Sequence, residues 1–382
     1  MEFDKKKNKI VVVHYGNIML YPPVLSLLEN LLYNRYNVVL ISGNTDRLPN
    51  KIKKGEIVII EFPVISSSNL LMRIIRRFGT GHGYRKAVIQ NMSDGDIVWT
   101  TTDSTVRTLN RVLLTYKHIM QLMELEEYFP LFSGAKFLKF NLAKYANLSW
   151  KTVVPEINRA YIQKVFWKLD NIPSVLPNKP YSLYAGEIHE DVQKALTIIK
   201  SDGRKKIMYL GVLSVDRNLE PFARALELAG SEYCLYILGN VPESENVKFK
   251  EFLKKYSHVV YLGFFNPPSH LHFLEYAYIG LLPYVTNYKS VVISPLNILY
   301  CAPNKIYEYA GYGVPMIGTD VLGLKQPFEK YNIGVCCKDL SPQTVAKKIA
   351  YVDLHHETMR KNCRKSYDDT DLDLIVNEII NS

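Results

Sequence analysis

Long apolar runs are missing from this sequence: none approaches the roughly 18 residues that a membrane-spanning helix needs. The opening residues, MEFDKKKNK, are charged and lead straight into a strand-like stretch, so a secretory signal is not expected. Cysteine is sparse. Cys234, Cys301, Cys336, Cys337 and Cys363 stand at no metal-binding or redox spacing, and a reducing, cytosolic compartment fits them best. No short-period repeat and no nucleic-acid-binding module is present, so neither a solenoid nor a nucleic-acid partner is expected. The first half also has little acid. Residues 1–180 hold 25 Lys and Arg against 14 Asp and Glu, whereas residues 181–382 hold 22 against 23. The net charge of +10 therefore originates in the first half, with Arg73, Arg76, Arg77, Arg85, Lys86, Lys136, Lys139 and Lys144 among its sources. Such a surface suits an anionic substrate or an anionic membrane.

What is present is a long chain, 382 residues with 47% hydrophobic content, enough for two or three cored domains. Short β-branched runs alternate with helical patterns. KIVVVH (9–14), NVVLIS (37–42), EIVIIE (56–61), DIVWTT (96–101) and the stretch from Tyr116 to Leu122 read as buried parallel strands. SGAKFLKFNLAKYAN (133–147) reads as a helix. NIPSVLPNKPY (171–181), with three prolines, reads as an interdomain linker. A second alternation follows, with KIMYL (206–210), YCLYILG (233–239) and YIGLLP (278–283) as strands. The expectation is an α/β chain with a domain over 1–180, a second over 181–367, and a final helix in 368–382 packing back on the first. Two parallel sheets facing each other would place a ligand in the cleft between them.

The most informative stretch is PNKIYEYAGYGVP (303–315). Asn304 can cap a helix in which Lys305 and Glu308, three apart, share a face. The cation and the helix amides favour an anion, while the carboxylate suits sugar hydroxyls. Its plain alternative is a solvated Lys305–Glu308 ion pair.

These residues resemble the donor-binding signature of GT-B glycosyltransferases, in particular retaining enzymes of glycosyltransferase family 4. Pro303, Lys305, Glu308, Gly313 and Pro315 match its P-x-K-x-x-E-x-x-x-x-G-x-P spacing. Tyr209-Leu210-Gly211 with Arg217-Asn218-Leu219-Glu220 is similar to the family's glycine loop and Arg-Asn pair. Leu262-Gly263, Pro267-Pro268 and Gly280 to Tyr284 match further points, so the likeness spans about residues 205–340. The resemblance implies two Rossmann-like domains and sugar transfer from a nucleotide-diphosphate donor. Glu308 would hold the ribose. Arg217, Asn218 and Lys305 would face the diphosphate, with Asn304, Tyr309, Gly16 and Asn17 also at the donor. One departure stands out: where many members carry a second glutamate, this chain has Tyr300. A substitute would come from within 286–302.

In the first half, Asp103 ends a strand, and YKHIMQLMELEE (116–127) resembles a segment that carries a histidine and a glutamate near the sugar. His118, Glu124 and Asp103 are the catalytic candidates. Each has a plain reading: a satisfied strand-end histidine, a carboxylate at a helix start, and a helix cap. No Asp-x-Asp pair stands in a matching context, so no metal or cofactor is expected; a UDP-sugar is favoured over a GDP-sugar. The family resemblance further implies a lipid-linked or saccharide acceptor, bacterial cell-surface polysaccharide or glycolipid assembly, and peripheral attachment at the inner face of the cell membrane through segments such as Arg73 to Phe78. The alternatives are a nucleotide-sugar epimerase on the same fold and a non-catalytic binding subunit.

Overall fold

β-branched runs that are apolar on both faces belong in sheets covered on both sides, and the chain builds two of them. The computed structural model describes residues 3–63, 70–127, 129–130, 139–213, 217–285 and 294–382, with 70–78 and 130 described by backbone only. The chain divides into two units, one of residues 1–182 and 371–382, the other of residues 183–370. No helix among the described residues is long and apolar enough to cross a membrane.

The first unit contains β1 (Lys9–Asn17), β2 (Asn37–Gly43), β3 (Ile57–Glu61), β4 (Ile97–Thr100), β5 (Lys117–Gln121), β6 (Phe129–Pro130), β7 (Lys139–Phe140), β8 (Lys151–Val154) and β9 (Ser174–Val175). Seven of these form a parallel sheet in the order β3-β2-β1-β4-β5-β8-β9, while β6 and β7 pair antiparallel on their own. The pleat sends Ile10 and Val12 into a core with Leu28, Leu31 and Trp99, and Val11 and Val13 into another with Tyr84, Val88 and Leu113. Helix Leu372–Asn381 joins the first of these cores through Leu372, Val376, Ile379 and Ile380. Its Asp373 carboxylate accepts hydrogen bonds from Asn30 (2.8 Å), Asn34 (2.6 Å) and Tyr181 (3.0 Å).

Two expectations change here. The proline-rich stretch 171–181 is not a free tether: β9 closes the edge of the sheet, Leu176 is buried, and the Lys179 carbonyl accepts from Ser26. Proline suits an edge strand, where a missing N–H goes unused. The helix expected from Ser133 to Asn147 is shorter, Leu142–Leu148, because the Asn141 side chain caps it by accepting from the Lys144 amide. Residues 131–138 lie outside the described residues.

The second unit contains β10 (Lys205–Leu210), β11 (Tyr233–Leu238), β12 (Val259–Gly263), β13 (Ala277–Leu282), β14 (Met316–Thr319) and β15 (Gly334–Cys337), all parallel in the order β12-β11-β10-β13-β14-β15. This is the same winding as in the first unit: the first strand of each sheet lies beside the fourth. Loops leave that point in opposite directions and open a crevice at the carboxyl ends of the strands. In the first unit the point lies between β1 and β4; in the second it lies between β10 and β13.

The tip of β10 is held by backbone contact. Gly211, at φ 135°, donates to the Leu238 carbonyl at 2.9 Å, and a Cβ on Gly239 would lie 1.6 Å from the Gly211 oxygen. Gly239→Ala must push the two loops apart, and we expect it to lower unfolding free energy by about 3 kcal/mol or more, read from urea melts.

Candidate functional site

In the second unit the residues of the opening motif gather beside the tip of β10. Helix Lys305–Gly311 follows the Pro303-Asn304 turn. Asn304 does not cap it with its side chain. Its amide nitrogen instead donates to Glu308 Oε1 at 2.7 Å. The same oxygen lies 3.3 Å from His270 Nε2, in the short helical segment Ser269–Tyr276. Burial alone would raise the Glu308 carboxyl, but His270, Lys305 and Asn304 outweigh it and hold it below its ordinary value. A carboxylate that is only 3% exposed therefore stays ionised. Lys305 reaches the glycine loop: its Cε and Nζ lie 2.9 Å from where a Cβ on Gly211 would sit. A side chain at Gly211 would thus displace the ammonium. Arg217 lays its guanidinium over the Tyr284 ring, 3.9 Å from the centroid, which ties the loop after β10 to the loop after β13.

In the first unit the equivalent crevice is lined by acid. β1 carries His14, whose Nδ1 pairs with Thr101 Oγ1 at 2.8 Å and whose ring lies 4.4 Å from that of Tyr21. Its Nε2 is buried with no hydrogen-bond partner. Burial pushes the imidazole down to about 4, against an opposing interaction with the Asn17 backbone that favours the protonated ring, so it is neutral at physiological pH. Thr102 caps helix Asp103–Leu109, accepting from the Thr105 amide, which leaves the Asp103 carboxyl to the crevice. Burial first, and the charge of Glu124 second, push that carboxyl up to about 7, against its own backbone amide and Arg107. Glu126 rises to about 8 through burial and the charges of Asp103 and Glu124, with Arg107 opposing. Tyr21 is raised by burial and by the same two carboxylates, Asp103 and Glu124. Asp103 and Glu126 thus share one electrostatic environment with Arg107 and Tyr21, and both carboxyls exchange protons near neutral pH.

No protein-family model matches the chain, and no curated protein sequence is similar to it. Solved structures are similar along its whole length. Anabaena HepE in complex with UDP and glucose superposes with a TM-score of 0.68 at 13% identity, covering 97% of this chain and 98% of that one. A Rickettsia africae glycosyltransferase gives 0.64 at 14%, covering 98% and 97%. WaaG, a glycosyltransferase involved in lipopolysaccharide biosynthesis, gives 0.56 at 14%, covering 97% and 98%. The chain has the GT-B fold.

On this GT-B frame the expected residues divide. Glu308, Asn304 and Lys305 come together, with Arg217 bridging the neighbouring loops. Asn218 spends its side-chain oxygen on the Glu220 amide, and Asn17 spends its own on the Met19 amide, so both shape turns. Gly16, at φ 119°, gives the turn after β1 a backbone conformation that side chains disfavour. Tyr309 is a correction. It is fully buried, donates to the Met208 carbonyl at 2.9 Å and packs against Gly280, so it supports β10 and has no exposed surface to offer a donor. His118 is another. It is the second residue of β5, away from the carboxyl end where ligands bind; its Nε2 pairs with Thr100 Oγ1 at 2.8 Å, and burial pushes it down to about 3. Glu124 lies in the bend after β5, outside any helix, and exposed.

Tyr300 ends helix Pro295–Leu299 half-buried; of the run 286–302, within which a substitute for the second glutamate was expected, residues 286–293 lie outside the described residues. Sequence reasoning missed His14, Tyr21, Arg107, Glu126 and His270. The first was findable, since it ends the apolar run of β1 at a glycine loop; His270 joins Glu308 only through folding of residues 38 positions apart.

Proposed function

We propose that this chain is a glycosyltransferase that moves a sugar from a nucleotide-diphosphate-sugar donor, UDP-linked in preference to GDP-linked, to a saccharide acceptor. The observation that carries this reading is Glu308: an ionised carboxylate kept inside the GT-B nucleotide half by Asn304, His270 and Lys305. A buried charge of this kind is costly unless it has work to do, and vicinal ribose hydroxyls are donors that a carboxylate accepts. Lys305 and Arg217 then serve the diphosphate. As the anomeric C–O bond breaks, negative charge grows on the leaving phosphate, and fixed cations there lower the barrier. These cations take the place a metal ion would fill. A C–O bond forms to the acceptor, and its hydroxyl proton passes to Asp103, whose carboxyl exchanges protons near neutral pH. The likeness of the motif to retaining enzymes supports retention of configuration. The test is a panel of nucleotide sugars incubated without acceptor. Slow hydrolysis of one donor is expected; interconversion of two would favour an epimerase, and failure to bind any would favour a non-catalytic subunit.

The acceptor we propose is lipid-linked, in bacterial cell-surface polysaccharide or glycolipid assembly, with the protein held peripherally at the inner face of the membrane. The excess basic charge of the first unit supports this. So does helix Ile157–Trp167, which exposes Ile157, Tyr161 and Val165 (48%, 53% and 75%) at four-residue spacing, with Lys164 and Lys168 on the same side. The side chains of Arg73 to Phe78, the other segment suited to this role, lie outside the described residues; their backbone begins helix Leu70–Asn91. Co-sedimentation with anionic vesicles is expected at low salt and weakens as salt rises. Tyr161→Glu combined with Val165→Glu should reduce it severalfold, and absence of binding at low salt refutes the attachment.

A further inference from the structure

Glu308 is held asymmetrically. Asn304 Nδ2 at 2.7 Å and His270 Nε2 at 3.3 Å converge on the same oxygen, Oε1, and Oε2 receives no hydrogen bond among the described residues. The two donors come from different elements: Asn304 from the turn into helix Lys305–Gly311, His270 from the segment Ser269–Tyr276 after Pro267-Pro268. The imidazole and the carboxylate are 14% and 4% exposed, so water does not compete strongly for either. The other ring nitrogen of His270, Nδ1, is buried without a partner. The ring therefore engages the site through Nε2, which carries the proton towards the carboxylate.

A carboxylate on its own side chain turns through a broad two-fold torsion. Two donors on one oxygen stop that turn and leave one oxygen open. We propose that His270 is the positioning residue of the nucleotide site, pinning Glu308 Oε1 so that Oε2 alone is presented to the ribose diol of a nucleoside diphosphate. This rests on the reading of Glu308 as the ribose ligand. No local pattern marks His270, and its role arises from the fold.

The contact through Nε2 gives a test that a merely structural histidine would not pass. A glutamine amide nitrogen reaches the position of Nε2, whereas an asparagine amide reaches only that of Nδ1. UDP and GDP are titrated calorimetrically into the full chain and into His270→Ala, His270→Gln, His270→Asn, Glu308→Ala and the His270→Ala/Glu308→Ala pair. The expected result is a loss of about tenfold in UDP affinity for His270→Ala, a similar loss for His270→Asn, and less than about threefold for His270→Gln. In the Glu308→Ala background, His270→Ala should cost nothing further; a weakened nucleotide is followed there by competition at high concentration. If His270→Ala does not fold, the Gln and Asn variants carry the comparison. The proposal is overturned if His270→Ala binds as tightly as the parent, if asparagine serves as well as glutamine, or if the His270 effect persists without Glu308. A parent chain that binds neither nucleotide, or a Glu308→Ala chain that binds as the parent does, overturns the reading of Glu308 itself and this assignment with it.

Discussion

Glu308→Ala should weaken binding of the nucleotide donor by about 100-fold or more and abolish turnover, while leaving the fold standing. Hydrogen bonds to a charged group are worth roughly 1.5–3 kcal/mol each, and a ribose offers two hydroxyls, so losing both costs on the order of 3–6 kcal/mol. The fold loses less. The carboxylate's own burial is unfavourable, and its removal relieves that penalty while freeing only one donor each on Asn304 and His270. A change of no more than about 2 kcal/mol in unfolding free energy is expected. The carboxyl's depressed titration sets the pH response. Its stabilising contacts are complete above the ordinary carboxylate range and are lost as the pH falls through its lower folded value. Calorimetry with UDP and an activity assay check both halves. Survival of turnover in the alanine variant would remove Glu308 from the donor site.

Asp103→Asn should move activity and stability in opposite directions. Burial and Glu124 raise the Asp103 carboxyl from 3.8 to about 7 in the folded chain. The folded state therefore holds a proton that the unfolded state gives up. The associated stability is fully present below about pH 4 and is lost as the pH rises towards 7, so at pH 8 the ionised carboxylate strains the fold. An amide of the same shape carries no charge to bury. The asparagine variant is expected to be more stable than the parent at pH 8 by on the order of 3 kcal/mol, and to show no such difference at pH 4. Its turnover should fall by about 100-fold or more, the usual cost of losing a proton acceptor at the reacting hydroxyl. The parent's rate should rise with pH through about 7, and that rise should be absent from the variant's residual rate. Thermal melts at the two pH values, beside a pH–rate profile, decide it. A variant that is stabilised yet fully active would make Asp103 a buried acid without a catalytic task.

The parallel sheets were legible because their strands are short, β-branched and apolar on both faces, as in KIVVVH and YCLYILG, and alternate with helices, whereas the order of the strands in each sheet was read only from the fold. The cluster in 303–315 was legible because its residues are near in sequence: Asn304, Lys305 and Glu308 lie within two turns of one another. What sequence could not supply was partnership across the fold. His118 stands in a segment that reads well locally, yet the register of β5 sets it opposite Val98, short of the strand's carboxyl end, where its buried ring pairs with the Thr100 hydroxyl. Tyr309 lies one residue after Glu308, and helical geometry turns it beneath the sheet. Glu126 and His270 owe their environments to neighbours distant in sequence, Asp103 and Glu308, and no spacing rule announces them.

Helix Leu372–Asn381 belongs to the first unit although 188 residues of the second precede it. During synthesis the amino-terminal unit leaves the ribosome first, but the core around Leu28 and Leu31 lacks Leu372, Val376, Ile379 and Ile380 until the last helix is made. The first unit keeps an uncovered apolar face until residues 183–370 of the second have been made. A chain cut short after the second unit would contain Glu308 and its partners in full, yet keep the first unit's unfinished surface open to chaperones and proteases. The order of synthesis thus couples the two units: the core of the first is completed only after the whole of the second has been made.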